Sequence, residues 1–389
     1  MIWIALLIPV AAIFVCSKYF ARSMHYGEYA VLFMVPLLCI VIGKGCSVSS
    51  QTKDSETWNN YGTRAEYFED WNERVSCKHP QYSTSTDSKG NTTRTYTGDA
   101  HSYDVNYHSE YWQLKDNSGS SRRIKRSKFE EICKLWKMKK FADLSRRYHN
   151  NDGDKYYSDY TKIFEDTVPV TTQHTYKNKI QASKSVFNFD EVMPDTIKQY
   201  KLVGYPTQTT FDYNPIIGWS DWKASEYLQK QNSLVGSRRQ LHMLLLVFID
   251  QPYTAAAYQE AYWKGGNKNE FIVCVGVDKQ KNIKWTKVIS WTTAETLKVV
   301  TESKIKEMKT FDCMAVVKYM ADTIPKSFRR REFAEFDYLT VQPTMKAVIW
   351  TFVVTLLVTI GISIFSVMNN LDFNESVRQR FSHRRRRRR

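Results

Sequence analysis

Residues 347–368, AVIWTFVVTLLVTIGISIFSVM, run for 22 positions without a charge, and no other feature constrains this chain so strongly. As a helix this run rises about 33 Å, enough to cross a hydrocarbon core about 30 Å thick. Two shorter uncharged runs open the chain, residues 1–17 and 29–43. Both are expected to span as a hairpin, with Lys18 and Lys44 reaching back to the interface. An interfacial or re-entrant hairpin is the alternative. Pro9 and Pro36 sit inside them, which membrane helices tolerate. The first run starts at Met1, Ile2 and Trp3 with no basic stretch before it, so it reads as a retained helix rather than a cleaved signal.

The rest of the chain has a different character. Mean hydropathy over all 389 residues is −0.48 and a quarter of the residues are charged, so most of the protein is water-soluble in composition. With only 15 Gly and 10 Pro it is neither collagen-like nor a flexible polymer. Net charge is +16, but Arg378, Arg380 and Arg384, Arg385, Arg386, Arg387, Arg388 and Arg389 supply half of it. The remainder is only mildly basic, so a nucleic-acid partner is not expected. Basic residues beside spans stay in the cytoplasm. That rule places the tail inside, the 18–28 loop inside and residues 44–346 outside, although Lys326, Arg329, Arg330, Arg331 and Lys346 oppose it. Arg384 to Arg389 are candidates for contact with anionic headgroups.

These spans divide the chain into a transmembrane hairpin (1–45), a β-rich extracytoplasmic domain (46–166), a connecting region (167–237), an α/β domain (238–345), a transmembrane helix (346–368) and a basic tail (369–389). In the β-rich part, Tyr103, Val105 and Tyr107 alternate as in a strand, and residues 116–119 (DNSG) form a hairpin turn. Ser127 is placed to cap a helix over 128–137. A second hairpin is expected around 151–154 (NDGD). In the α/β part, LHMLLLVFI (241–249) and EFIVCVGV (270–277) read as strands buried on both faces. A helix over 254–263 joins them. A third strand over 283–290 and a helix capped by Thr292 or Thr293 follow.

Seven cysteines include no C-x-x-C pair. An exported domain permits disulfides, and Cys77 with Cys133 is the pair to test. Cys77, His79, Asp99, His101, Asp104 and His108 lie within 32 residues. Cys77, His79, His101 and His108 are therefore candidate metal ligands. Their C-x-H and H-x6-H spacings match no standard zinc motif, so surface histidines of a Tyr-rich sheet are the competing reading.

Leu241 to Trp291 resembles the TPM-domain family, named from thylakoid-lumen and photosystem-repair proteins. The resemblance lies in Leu244 to Asp250, Tyr258, Trp263, Gly265, Asn267 and Phe271 to Val277, with Asn269 and Glu270 where the family carries Asn-Gly. It implies a membrane-tethered domain outside the cytoplasm and, for some members, phosphatase activity. The whole chain also resembles uncharacterised membrane proteins of large tailed phages and of bacteria.

The expected fold is thus an α+β membrane protein with a TPM-like α/β domain. The expected function is a membrane-anchored envelope protein acting as a structural or interaction module, with the lipid bilayer and an envelope protein as partners. No Walker A, dinucleotide, His-Glu-x-x-His or Gly-x-Ser-x-Gly motif occurs. The alternative is a TPM-type phosphohydrolase. Asp250 and Asp278, at the carboxyl ends of strands, would then be candidate catalytic residues, with Asn267, Asn269 and Glu270 on the turn between them. A second alternative, a subunit of a transport or channel assembly, needs oligomers, because spans without internal charge make a poor conduit alone.

Overall fold

The computed structural model describes residues 2–20, 26–144, 153–183, 189, 191–206, 209–211 and 213–369. Arg22, the tail from 370 to 389 with Arg384 to Arg389, and Asn151 and Asp152 of the second expected hairpin lie outside the described residues.

In chain order, helices α1 (Leu7–Tyr19) and α2 (Tyr26–Thr52) come first. Ten strands and one helix follow: β1 (Lys53–Phe68), β2 (Trp71–Val75), β3 (Pro80–Thr86), β4 (Thr92–Asp99), β5 (Asp104–His108), β6 (Tyr111–Asp116), β7 (Ser121–Ile124), α3 (Arg126–Trp136), β8 (Lys140–Ala142), β9 (Lys155–Asp159) and β10 (Pro169–Lys177). Then come α4 (Pro194–Gln199), β11 (Ile216–Ile217), α5 (Trp222–Arg239), β12 (His242–Ile249), α6 (Thr254–Tyr262), β13 (Glu270–Val277), β14 (Ile283–Ser290), α7 (Glu295–Glu307), α8 (Cys313–Ser327) and α9 (Met345–Asn369). The chain is a mixed α+β protein. Among the described residues, Ile2–Tyr19, Tyr26–Thr52 and Met345–Met368 are long and apolar enough to cross a membrane.

The chain separates into two compact units. The first comprises 1–54, 175–189 and 332–389. In its described part, Ile2 and Ala5 of the 3-10 turn before α1 pack with Ile40 of α2 and Val348 of α9, and Cys16 of α1 packs with Leu32 of α2. The second apolar run is extended by helix well past Gly43 to Thr52, which gives it the length that 15 apolar residues lacked. Thr351 lies against Gly43, where a Cβ would meet its Oγ1 at 2.5 Å. Thr351, Thr355 and Thr359, all buried, recur every fourth residue along α9, the small-residue stripe that lets helices approach closely without a hydrophobic driving force.

The second unit comprises 55–174 and 190–331. One sheet has the order β7-β6-β1-β9-β8, with β10 also paired to β1. Its face is covered by α3, which buries Phe129, Ile132 and Trp136 against Ala65, Leu114 and Val170. The turn at 116–119 forms as expected: Asp116 Oδ1 accepts from the Ser118 and Ser120 N–H groups. Ser127 does not cap α3. The helix starts two residues earlier than expected, at Arg126, and Lys125 holds the cap position without a side-chain bond. Cys133 is a free thiol packed beside this core and Cys77 is free in the ribbon described below, so the two are not bridged.

The other sheet has the order β11-β12-β13-β14, parallel except for the last pair. Met243, Leu245 and Val247 of β12 face α5, α7 and α8, while Leu244, Leu246 and Phe248 face α6. Both parities are buried, which is why these strands read as unbroken apolar runs. Cys274 is buried among the second set. Helix α8 is an addition to the sequence reading. Its signal was present: Asp312 accepts from the Ala315 N–H, and Cys313, Val316, Val317, Met320 and Ile324 are buried at helical spacing. Helix α7 is capped differently from expectation, with Ala294 at the cap position and its N–H donating to Thr292 Oγ1.

Candidate functional site

The five polar candidates of the α/β sheet fall into two groups. Asn267, Asn269 and Glu270 stand at the amino end of β13, whereas Asp250 and Asp278 follow the carboxyl ends of β12 and β13. Eight residues of strand at about 3.3 Å each separate the two groups by about 26 Å. One reaction centre cannot use both.

The amino-end group closes a turn. Glu270 is buried, accepts from the Asn267 N–H at 2.8 Å and accepts from the Tyr205 hydroxyl. Asn267 Nδ2 donates to the same tyrosine oxygen at 2.8 Å, and Asn269 Nδ2 donates to the Thr57 carbonyl at 2.7 Å. The preceding Gly266 has φ +74°, a left-handed conformation that favours glycine. Beside this group, His242 is buried and its Nδ1 lies 2.7 Å from Asn59 Nδ2. Burial pushes its imidazole down to about 3, so the ring stays neutral.

At the carboxyl end, Asp278 binds its own turn. It accepts from the Asn282 N–H at 2.7 Å and from Asn282 Nδ2 at 2.8 Å, and pairs with Lys284 at 2.9 Å. The bonds from Asn282 and then Lys284 hold its carboxyl well below the usual carboxylate range, so it remains ionised. Asp250 is exposed, has φ +52° and lies 3.6 Å from Lys279.

A different convergence occurs in the β-rich half. Strands β2 and β5 pair from Trp71↔His108 to Val75↔Asp104, and β3 and β4 pair from Pro80↔Asp99 to Thr86↔Thr92. Together they make one long two-stranded ribbon, residues 71–108, interrupted once. The interruption takes in residues 76–79 on the outgoing side and 100–103 on the return. Cys77, His79, His101 and Asp104 meet at this joint, each with a potential ligand atom within 4.8 Å of the others. Asp104 Oδ1 is 3.3 Å from His79 Nδ1 and 3.3 Å from His101 Nε2.

His108 does not join them. It stacks on Trp71 and lies 2.9 Å from Glu73. Asp99 instead accepts from the Tyr96 hydroxyl at 2.7 Å. Asp104 thus takes the place that His108 was expected to hold. The usable signal is the strand register, which sets Asp104 opposite Val75 at the joint and carries His108 four residues away to the base of the ribbon.

Beyond the joint, the ribbon is exposed. Every residue of β3 is exposed, as is all of β4 except Gly98. Tyr82 and Tyr96 meet edge to face, and the Arg94 guanidinium lies 4.4 Å from the Tyr82 ring centre. At the tip, Asp87 Oδ1 accepts from the Lys89 and Asn91 N–H groups, which closes the turn. Tyr103 at the joint and Val105 and Tyr107 along the base are exposed.

No protein-family model matches the chain, and neither does any curated protein or solved structure.

Proposed function

We propose that the chain is an integral membrane protein whose folded region lies outside the cytoplasm, and that it works as an interaction module, presenting the 71–108 ribbon to a protein partner in the envelope. One observation carries this reading: a long ribbon with both faces of its outer half in solvent, lined by tyrosine and arginine. A two-stranded ribbon contributes little to its own stability, so its length serves something other than the core. Tyrosine and arginine supply large contact area at low entropic cost and dominate binding hot spots. The three apolar helices provide the anchor. The basic residues of the tail sequence support a cytoplasmic C-terminus under the positive-inside rule. The separation of Asp250 and Asp278 from Glu270 favours binding over hydrolysis.

The test is site-specific photocrosslinking in the native membrane. A benzoylphenylalanine at Tyr82 or Tyr96 is expected to yield one discrete adduct. The same probe at exposed Val299, on α7, is expected to yield none. Adducts that are absent at both tyrosines, or identical at all three positions, contradict the reading.

A further inference from the structure

We infer that Cys77, His79, His101 and Asp104 form a structural site for a zinc-class divalent metal ion, which clamps the joint of the ribbon. The geometry comes first. Tetrahedral zinc with bonds of about 2.0–2.3 Å sets its ligand atoms about 3.3–3.7 Å apart. Two edges of such a tetrahedron already stand at 3.3 Å, from Asp104 to each histidine. The widest separation among the four ligand atoms is 4.8 Å, which side-chain rotation of about 1 Å per ligand closes.

The donor chemistry agrees. One thiolate, two neutral imidazoles and one carboxylate carry two negative charges, which balance a divalent ion. A sulfur and two nitrogens favour zinc over calcium or magnesium. Four protein donors leave no open coordination position, the pattern of a structural rather than a catalytic centre.

Outer contacts already orient two of the ligands. The Lys78 N–H donates to Asp104 Oδ2 at 2.6 Å, leaving Oδ1 toward the histidines. The His79 N–H donates to Cys77 Sγ at 3.3 Å, an outer contact that holds the sulfur at the joint.

The site also answers a structural need. Its ligands come in pairs from the two sides of the joint, where the ladder between Val75↔Asp104 and Pro80↔Asp99 is broken. An ion there ties the outer half of the ribbon to its base, and its binding energy becomes folding energy of the arm.

Metal binding is a property of the chain alone, so its test is separate from that of partner docking. Full-length protein in detergent, reduced and stripped with chelator, is titrated with Zn2+ and, in parallel, with Co2+. One ion per chain is expected to survive desalting. Co2+ is expected to give tetrahedral visible bands and a thiolate charge-transfer band. Cys77→Ser should remove the charge-transfer band, and Cys77→Ser and His101→Ala should each weaken Zn2+ binding at least tenfold. His108→Ala should leave both unchanged. Zn2+ should slow proteolysis within residues 76–103 of the parent chain and not of Cys77→Ser. Loss of the ion from the parent on desalting, or retention that is equal in parent, Cys77→Ser and His101→Ala, overturns the inference.

Discussion

Gly276→Val is expected to destabilise the second unit by about 3 kcal/mol, the upper end of the usual cost of overpacking. A Cβ at this position of β13 would sit 2.0 Å from Cε2 and 2.2 Å from Nε1 of Trp285, on the neighbouring strand. The indole cannot simply turn away. Its Nε1 donates to the Gln251 carbonyl at 2.8 Å, and its ring lies between Phe248 and Tyr253. Relief therefore breaks that bond or spreads the β13–β14 pair. Urea unfolding of the purified chain reads the effect as a lower midpoint. If the indole is the cause, the same substitution in a Trp285→Ala background costs far less. An unchanged midpoint for Gly276→Val contradicts this packing.

Lys155→Met is expected to cost a similar amount, about 3 kcal/mol, by stranding a buried carboxylate. Glu66 of β1 has no exposed side-chain surface; Lys155 Nζ lies 2.6 Å from its Oε1 and Gln113 Nε2 donates to its Oε2 at 2.5 Å. Burial alone would raise the pKa of this carboxyl. Bonds from Lys155 and Gln113 overcome that and hold it below the usual range. A lowered folded value means that the parent gains stability from this group above its unfolded pKa of about 4.3, and loses it as pH falls further. In Lys155→Met the Gln113 bond and the more distant Lys115, at 3.4 Å, still face the carboxylate, but the close cation is gone. The sign should then reverse, with stability rising as the pH drops and Glu66 takes up a proton. Glu66→Gln combined with Lys155→Met should recover most of the loss. Thermal unfolding between pH 4 and pH 8 checks both the size and the slope.

How much of this was legible in the sequence varies by element. The long α9 run declared itself by length, and β12 and β13 by unbroken apolar stretches that only a sheet covered on both faces requires. The amphipathic pattern of α8 was equally present, with Asp312 as its cap. The joint of the ribbon was harder to read. Metal motifs are recognised by local spacing, and C-x-H with a second pair more than twenty residues later has none of the familiar spacings. What brings Cys77 and His79 to His101 and Asp104 is strand register, fixed by β2 against β5 and β3 against β4. Register depends on both strands at once, so no single stretch of sequence displays it. The α/β candidates show the reverse case. Their positions at strand ends were legible, and the length of β13 then sets them too far apart to cooperate.

The proposed function requires the folded region to lie outside the cytoplasm, and one measurement tests that requirement directly. Ser85 lies on the exposed strand β3. A full-length chain carrying Ser85→Cys and an epitope tag after Arg389 is treated, in intact cells, with a membrane-impermeant maleimide and with protease. The expected result is label gained over the parent chain before any permeabilisation, with the tag protected. Label gained only after permeabilisation, together with a tag digested from outside, would contradict it and put the ribbon and its metal site in the cytoplasm.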